Sequence, residues 1–320
     1  MQFHSTLLTS LRRAMAPAIA PAILTLACGT SHWACAEVTS PVLLINADAA
    51  TAIVTTQKLR SNVSVLMGSG GNITVFTGPG GKLLVDGGIA VSRPRLEAAL
   101  NGLGAMPVKY VVNTHYHWDH TDGNAWLHDA GATIIAHENT LKRLTEGTRV
   151  IPWGYTFPPV VASGLPTVVF KTEKTMRFEG ETVVMKHTGA GHTDTDVSVL
   201  LKTADVLSVG DLWWKGHYPF IDYNAGGGID QTIQSVNAVI EMAGPKTLIV
   251  PGHGPVGDRA ALIQFRDMLV AIRANVAGLK KQGKTLAEAV AAKPTAAYDA
   301  EYGDFLIGPA FFIMLVYMGV

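Results

Sequence analysis

Apolar residues in this chain come in short runs that stop abruptly in polar or glycine-rich stretches. Residues 63–67, 73–76 and 83–85 read as strands, with Gly78-Pro79-Gly80-Gly81 as the turn between the last two. Residues 92–100 have helical spacing, with Pro94 in the first turn where its missing N–H costs nothing. Further strands over 108–112, 133–136, 168–171, 175–178, 182–186, 197–201, 206–209 and 247–250 are interleaved with helices near 124–129, 139–145, 231–242 and 259–279. Strands alternating with helices predict an α/β layered architecture. The halves 63–149 and 168–278 share this grammar, as an old duplication would leave it.

Three stretches depart from the rhythm. Arg12 and Arg13 precede an uncharged, mostly apolar stretch from Ala14 to Ala27, and Ala34-Cys35-Ala36 follows as a small-x-small cleavage site. That order predicts a secretory signal peptide over 1–36, a lead-in over 37–60 and a single domain over 61–320. Lipidation at Cys28 is the lesser alternative. The product would be periplasmic or secreted, with no stable membrane insertion once the leader is removed. Residues 150–166, "VIPWGYTFPPVVASGLP", hold four prolines and three aromatics, which suits either a flap over a site or a self-packed surface loop. The uncharged tail 305–320, interrupted by Pro309, is shorter than the ~20 residues of a span and predicts a helix buried against the domain.

Several strands run into loops rich in metal-ligand side chains. "YVVNTHYHWDH" ends in His115, His117, Asp119 and His120; "TVVMKHTGAGH" ends at His192, "VLSVGD" at Asp211 and "TLIVPGHG" at His253. Each ligand lies just past the carboxyl end of a predicted strand, where open α/β sheets collect their sites. Seven nitrogen and oxygen ligands exceed the four or five that one borderline ion takes. They suit two ions sharing a bridging group, with zinc, iron and manganese all compatible. His115 and His117 alternate along an extended segment and can address one ion, while Asp119 and His120 face its neighbour.

Composition narrows the partners. The chain has 320 residues, 48 % hydrophobic and 16 % charged, enough to bury a large core. Charge balances at 25 basic and 25 acidic residues, and no basic run carries interleaved aromatics, so nucleic acid is not the expected partner. A small molecule is. The two cysteines, Cys28 and Cys35, both fall in the expected leader, which removes any thiolate ligand, cysteine nucleophile or disulfide from the mature chain.

"LLVDGG" at 83–88, "THYHWDH" at 114–120, "GAGHTDTD" at 189–196, "SVGD" at 208–211 and "PGHG" at 251–254 together resemble the metallo-β-lactamase-fold superfamily of metallohydrolases. The resemblance implies a four-layer αβ/βα sandwich with a dinuclear zinc site at one rim. It implies that His115, His117 and His192 hold one ion, that Asp119, His120 and His253 hold the other, and that Asp211 bridges. The nucleophile would be a metal-bridging hydroxide, with Asp119 orienting it and shuttling its proton as the catalytic residue. The commonest β-lactamases of the superfamily carry cysteine or serine near Asp211. The aspartate resembles the glyoxalase-II-like and lactonase-like branches instead. The expected activity is hydrolysis of an ester, lactone, amide or β-lactam-like bond, with β-lactams turned over weakly at most. A mononuclear iron persulfide-type dioxygenase and a bona fide β-lactamase are the alternatives. In "GDLWWKGHYPFID", Trp214, His217 and Tyr218 are candidate substrate contacts, with His217 or Tyr218 donating to the oxyanion and Trp213 placed in the core.

Overall fold

The computed structural model describes residues 40–320. The expected leader, with Arg12, Arg13, Cys28 and Cys35, lies outside the described residues. One sheet runs in the order β1 (Thr55–Lys58), β2 (Val63–Met67), β3 (Ile73–Gly78), β4 (Gly81–Val85), β5 (Val108–Val112), β6 (Thr133–His137) and β9 (Val168–Phe170). Between β6 and β9 the chain makes a separate hairpin, β7 (Thr148–Val150) with β8 (Tyr155–Phe157). The second sheet is β10 (Glu173–Phe178), β11 (Glu181–His187), β12 (Val197–Leu201), β13 (Val206–Ser208), β14 (Leu248–Val250) and β15 (Gly257–Asp258). Pairing is parallel at β4–β5–β6–β9 and at β13–β14, and antiparallel elsewhere.

Side-chain parity sorts the strand residues into layers. Val63, Val65, Leu83, Val85, Val112 and Ile135 meet Val183, Met185, Val197, Val199, Val206 and Val250 in a core between the two sheets. Their neighbours Leu66, Leu84, Val111 and Ile134 point the other way, onto the helices that cover the first sheet. Leu207 and Ile249 likewise face the helices on the second. The inner strands of both sheets are therefore covered on both faces, which is why they read as unbroken apolar runs. The layers are helix, sheet, sheet, helix, the αβ/βα sandwich expected.

Ten α-helices complete the described residues: α1 (Pro41–Ala49), α2 (Arg93–Gly102), α3 (Trp118–Thr121), α4 (Asn124–Asp129), α5 (Glu138–Glu146), α6 (Ile229–Met242), α7 (Arg259–Lys281), α8 (Leu286–Ala291), α9 (Asp299–Tyr302) and α10 (Pro309–Gly319). In α7 the Asp258 carboxylate caps the start by accepting from Ala261 N at 2.9 Å, and Lys280 and Lys281 sit in the last turn against the dipole. Its Leu262, Phe265, Leu269, Ile272 and Val276 form one buried stripe. The C-terminal tail packs on that stripe's layer through Phe312, Ile313, Leu315 and Val316 of α10. Pro309 does not interrupt this helix; it occupies the first turn. No helix among the described residues is long and apolar enough to cross a membrane.

Candidate metal centre

Four chain segments converge where strands of both sheets end. β5 runs into Thr114 and His115, and His117 opens the single turn of α3 that carries Asp119 and His120. His192 comes from the loop after β11, Asp211 from the short 3-10 turn Gly210–Leu212 after β13, and His253 from the loop after β14. A Cβ on Gly252 would collide with Asp211 Oδ1, and one on Gly71 with the His120 ring, so bare backbone is required at both positions for these side chains to close together.

The ligand atoms form two groups: His115, His117, His192 and Asp211, then Asp119, His120 and His253. Asp211 divides its oxygens between them. Oδ2 lies 3.7 Å from His115 Nε2 and 3.4 Å from His192 Nε2; Oδ1 lies 3.1 Å from His120 Nε2 and 3.4 Å from His253 Nε2. Asp119 Oδ2 stands 3.3 Å from His253 Nε2 and 3.6 Å from His120 Nε2.

The outer nitrogen of four imidazoles is already engaged, which selects the tautomer. His192 Nδ1 donates to the Phe220 carbonyl at 2.7 Å, and His120 Nδ1 to Asp86 Oδ2 at 2.8 Å. His117 Nε2 faces Asp222 Oδ2 at 3.2 Å, and His115 Nδ1 meets Thr114 Oγ1 at 3.1 Å, whose own proton goes to Asp86. The neutral rings therefore turn lone pairs inward. His117 Nδ1 is 3.1 Å from His115 Nε2 and 2.8 Å from His192 Nε2, three acceptors around one point. His120 Nε2 and Asp211 Oδ1 are buried and make no hydrogen bond. Converging acceptors with nothing to donate to them fit a cation, and the two groups fit a metal site of the metallo-β-lactamase type.

Electrostatics separates the two groups. Burial lowers the pKa of His192 to about 4 and holds His115 well below the ordinary imidazole value, so both present free lone pairs. Burial opposes charge on His253 and His120 too, yet Asp211 and Asp119 outweigh it, raising His253 to about 9 and His120 well above its ordinary value. Against the desolvation that would raise them, the neighbouring imidazoles keep Asp211 well below, and Asp119 below, the carboxylate range. The same negative field that retains protons here favours a divalent ion in their place.

All seven ligand residues read from the sequence come together. The three candidate substrate contacts do not share one fate. The Trp214 ring lies 4.4 Å from that of His253, and the half-buried His217 stacks on Phe305 at 4.2 Å. Tyr218 is fully buried, stacked on Phe312, and its hydroxyl donates to Asp299 Oδ1 at 2.8 Å. That hydroxyl fastens the C-terminal helices, and the placing of Tyr218 at the substrate is corrected to a packing role. Trp213 is core, as expected. The segment 150–166 packs Trp153 against Trp118 and Phe220 and lines a 240 Å³ cavity with Tyr116, His117 and Arg143. Sequence reasoning gave no role to Asp86, Asp222, Thr114 or the Phe220 carbonyl. Asp86, in the quoted "LLVDGG", and Asp222, closing "GDLWWKGHYPFID", were visible as acids beside a motif; a carbonyl carries no sequence signal.

Comparison with known proteins agrees with this geometry. The profile of the metallo-beta-lactamase superfamily matches residues 66–253. The chain is 28 % identical over 159 residues to the metallo-beta-lactamase type 2 of Bacillus cereus, covering 50 % of this chain and 57 % of that protein. It is 26 % identical over 148 residues to metallo-beta-lactamase IND-1 of Chryseobacterium indologenes, covering 46 % and 56 % respectively. The chain thus spans a little over half the length of these curated relatives. Among solved structures, a metallo-beta-lactamase from Pontibacter korlensis superposes with a TM-score of 0.55 at 23 % identity, over 68 % of this chain and 98 % of that one. The stereoselective inverting sec-alkylsulfatase Pisa1 from Pseudomonas sp. superposes with 0.61 at 16 % identity, over 84 % and 51 %. At these identities the likeness is one of fold. With the profile spanning more than half of its length and the ligands of its motifs gathered at one rim, this chain belongs to the metallo-beta-lactamase superfamily.

Proposed function

We propose that this protein is an exported dinuclear zinc hydrolase of small molecules, cleaving an ester, lactone, amide or β-lactam-like bond. One observation carries the reading: Asp211 turns one oxygen to each ligand group, so a single carboxylate serves two ion positions. Zinc bound at those positions supplies Lewis acidity and makes a water nucleophilic near neutral pH. The chain supplies the rest. Asp86 and Asp222 fix the tautomers of His120 and His117, so that their inward nitrogens stay unprotonated and correctly aimed. Asp119 stands at the open side of the pair, where its carboxylate orients the attacking water and takes its proton for delivery to the leaving group. Burial of the remaining ligands keeps bulk water from competing.

A second reading, that β-lactams are the native substrates, draws support from the curated relatives, which are named as metallo-beta-lactamases. Asp211 weighs against it, since the commonest β-lactamases that the motifs resemble carry cysteine or serine near that position. The experiment is one purification. The mature chain from Glu37, with its metal content measured, is tested with and without chelator on β-lactams, lactones, esters, thioesters and phosphodiesters. Two zinc ions per chain and chelator-sensitive hydrolysis are expected. One iron per chain with oxygen consumption would overturn the proposal in favour of a dioxygenase.

A further inference from the structure

Of the seven ligand side chains, only His253, 13 % exposed, and Asp119, 10 % exposed, reach solvent; the other five are at most 3 % exposed. Substrate must arrive across that pair. Beside His253 stand Trp214, at 4.4 Å between rings, and Phe305, at 6.4 Å. Phe305 is 48 % exposed, although the chain is anchored on either side of it: Tyr302 O accepts from Tyr218 N at 2.9 Å, and Ile307 is fully buried. One side of its ring is held by the His217 imidazole, 4.2 Å away and 28° from parallel, and its edge meets Trp214 at 6.0 Å. A large aromatic stacked on one imidazole and about half exposed, next to the open ligand, is a surface shaped for a flat apolar group. It also lies outside residues 66–253, on the tail that α10 docks, so it is a contribution of this chain's C-terminal part.

We infer that Phe305 is a specificity-determining residue, stacking an aromatic substituent of the substrate, and that His217 is the positioning residue holding its ring. The inference rests on the hydrolase reading above and deepens it by naming the substrate class: molecules whose scissile bond carries an aromatic group a short distance away. His217 acts through Phe305 and exchanges no proton with substrate.

The test compares methyl phenylacetate with methyl acetate on the zinc-loaded mature chain, following hydrolysis by acid release in a pH-stat, and phenylacetate with acetate binding by titration calorimetry. Phe305→Ala is expected to lower the phenylacetyl-to-acetyl ratio of kcat/KM about fivefold to tenfold, through KM, and to weaken phenylacetate by a similar factor. Phe305→Leu, which keeps apolar bulk but loses the flat face, lowers the ratio less. His217→Ala reproduces part of the loss and His217→Phe restores it, because a ring is what the stack needs. A ratio unchanged in Phe305→Ala, or one not restored by His217→Phe, overturns the assignment while leaving the hydrolase reading intact. If the wild type cleaves neither ester, the calorimetry decides alone. Phenylacetate then binding no tighter than acetate, or equally well to Phe305→Ala, overturns the shelf.

Discussion

His192 Nε2 faces His117 Nδ1 at 2.8 Å, while the Phe220 carbonyl and the Asp222 carboxylate occupy the far side of each ring. Two lone pairs at that distance repel unless a cation lies between them. Removing metal is therefore expected to destabilise the whole chain. Zinc at a thousandfold excess over its Kd adds about 4 kcal/mol, on the order of 10 °C in Tm for a domain of this size. Thermal unfolding with and without chelator measures it, and His192→Ala should drop the zinc count from two to one. A Tm indifferent to chelator would contradict the site.

Zinc must displace protons to enter. His253, raised to about 9, carries a proton at pH 7 in the metal-free chain. Saturation should release about one proton per chain, and affinity should climb as pH rises. Calorimetric titrations of zinc in buffers of different ionisation heat count the protons released. A count of zero would show that the carboxylates beside His253 do not hold that proton.

Asp211→Cys examines whether the carboxylate at this position sets the substrate preference. The variant is expected to keep at least one zinc and to raise β-lactam hydrolysis, since a thiolate addresses one ion where the carboxylate addresses two. Unchanged β-lactam turnover in a zinc-loaded variant would place the barrier elsewhere in the pocket.

Asp196 makes the metal-free fold less stable as pH rises from about 4 to about 8. Desolvation pushes its carboxyl up to about 8, against hydrogen bonds from Thr193 that favour the ionised form. The unfolded value is about 3.9, so the folded chain binds the extra proton between these limits. Its contribution is complete below about pH 4 and is lost as pH rises through about 8, on the order of 5 kcal/mol in total. Urea titrations of apoprotein across that window should show the decline, and Asp196→Asn should flatten it. A wild-type slope persisting in the variant would assign it to another group.

Tyr218→Phe separates packing from catalysis. Loss of the bond to Asp299 should cost about 1 kcal/mol of stability and leave the stack on Phe312 in place. kcat is expected to stay at the wild-type level. A large fall in kcat with unchanged stability would return Tyr218 to the substrate.

The amino-acid sequence alone determined the strand cores, the layered class and the seven ligands. Continuous runs such as 63–67 and 83–85 are apolar because both sheet faces are covered, and ligand chemistry demands side chains that no packing role explains together. β1 escaped detection because its four residues, Thr55–Lys58, are all exposed and polar, leaving no apolar pattern to read. α1 and the β7–β8 hairpin escaped because prolines and short length hide their periods. Only the tertiary structure decided which oxygen of Asp211 faces which group, and that Asp86 and Asp222 back the ligand histidines. It alone separated Tyr218, turned into the helical layer, from Trp214 four residues before it, and brought Phe305 from the tail to the rim. Those outcomes depend on orientation across long sequence separations, and local pattern carries no record of direction.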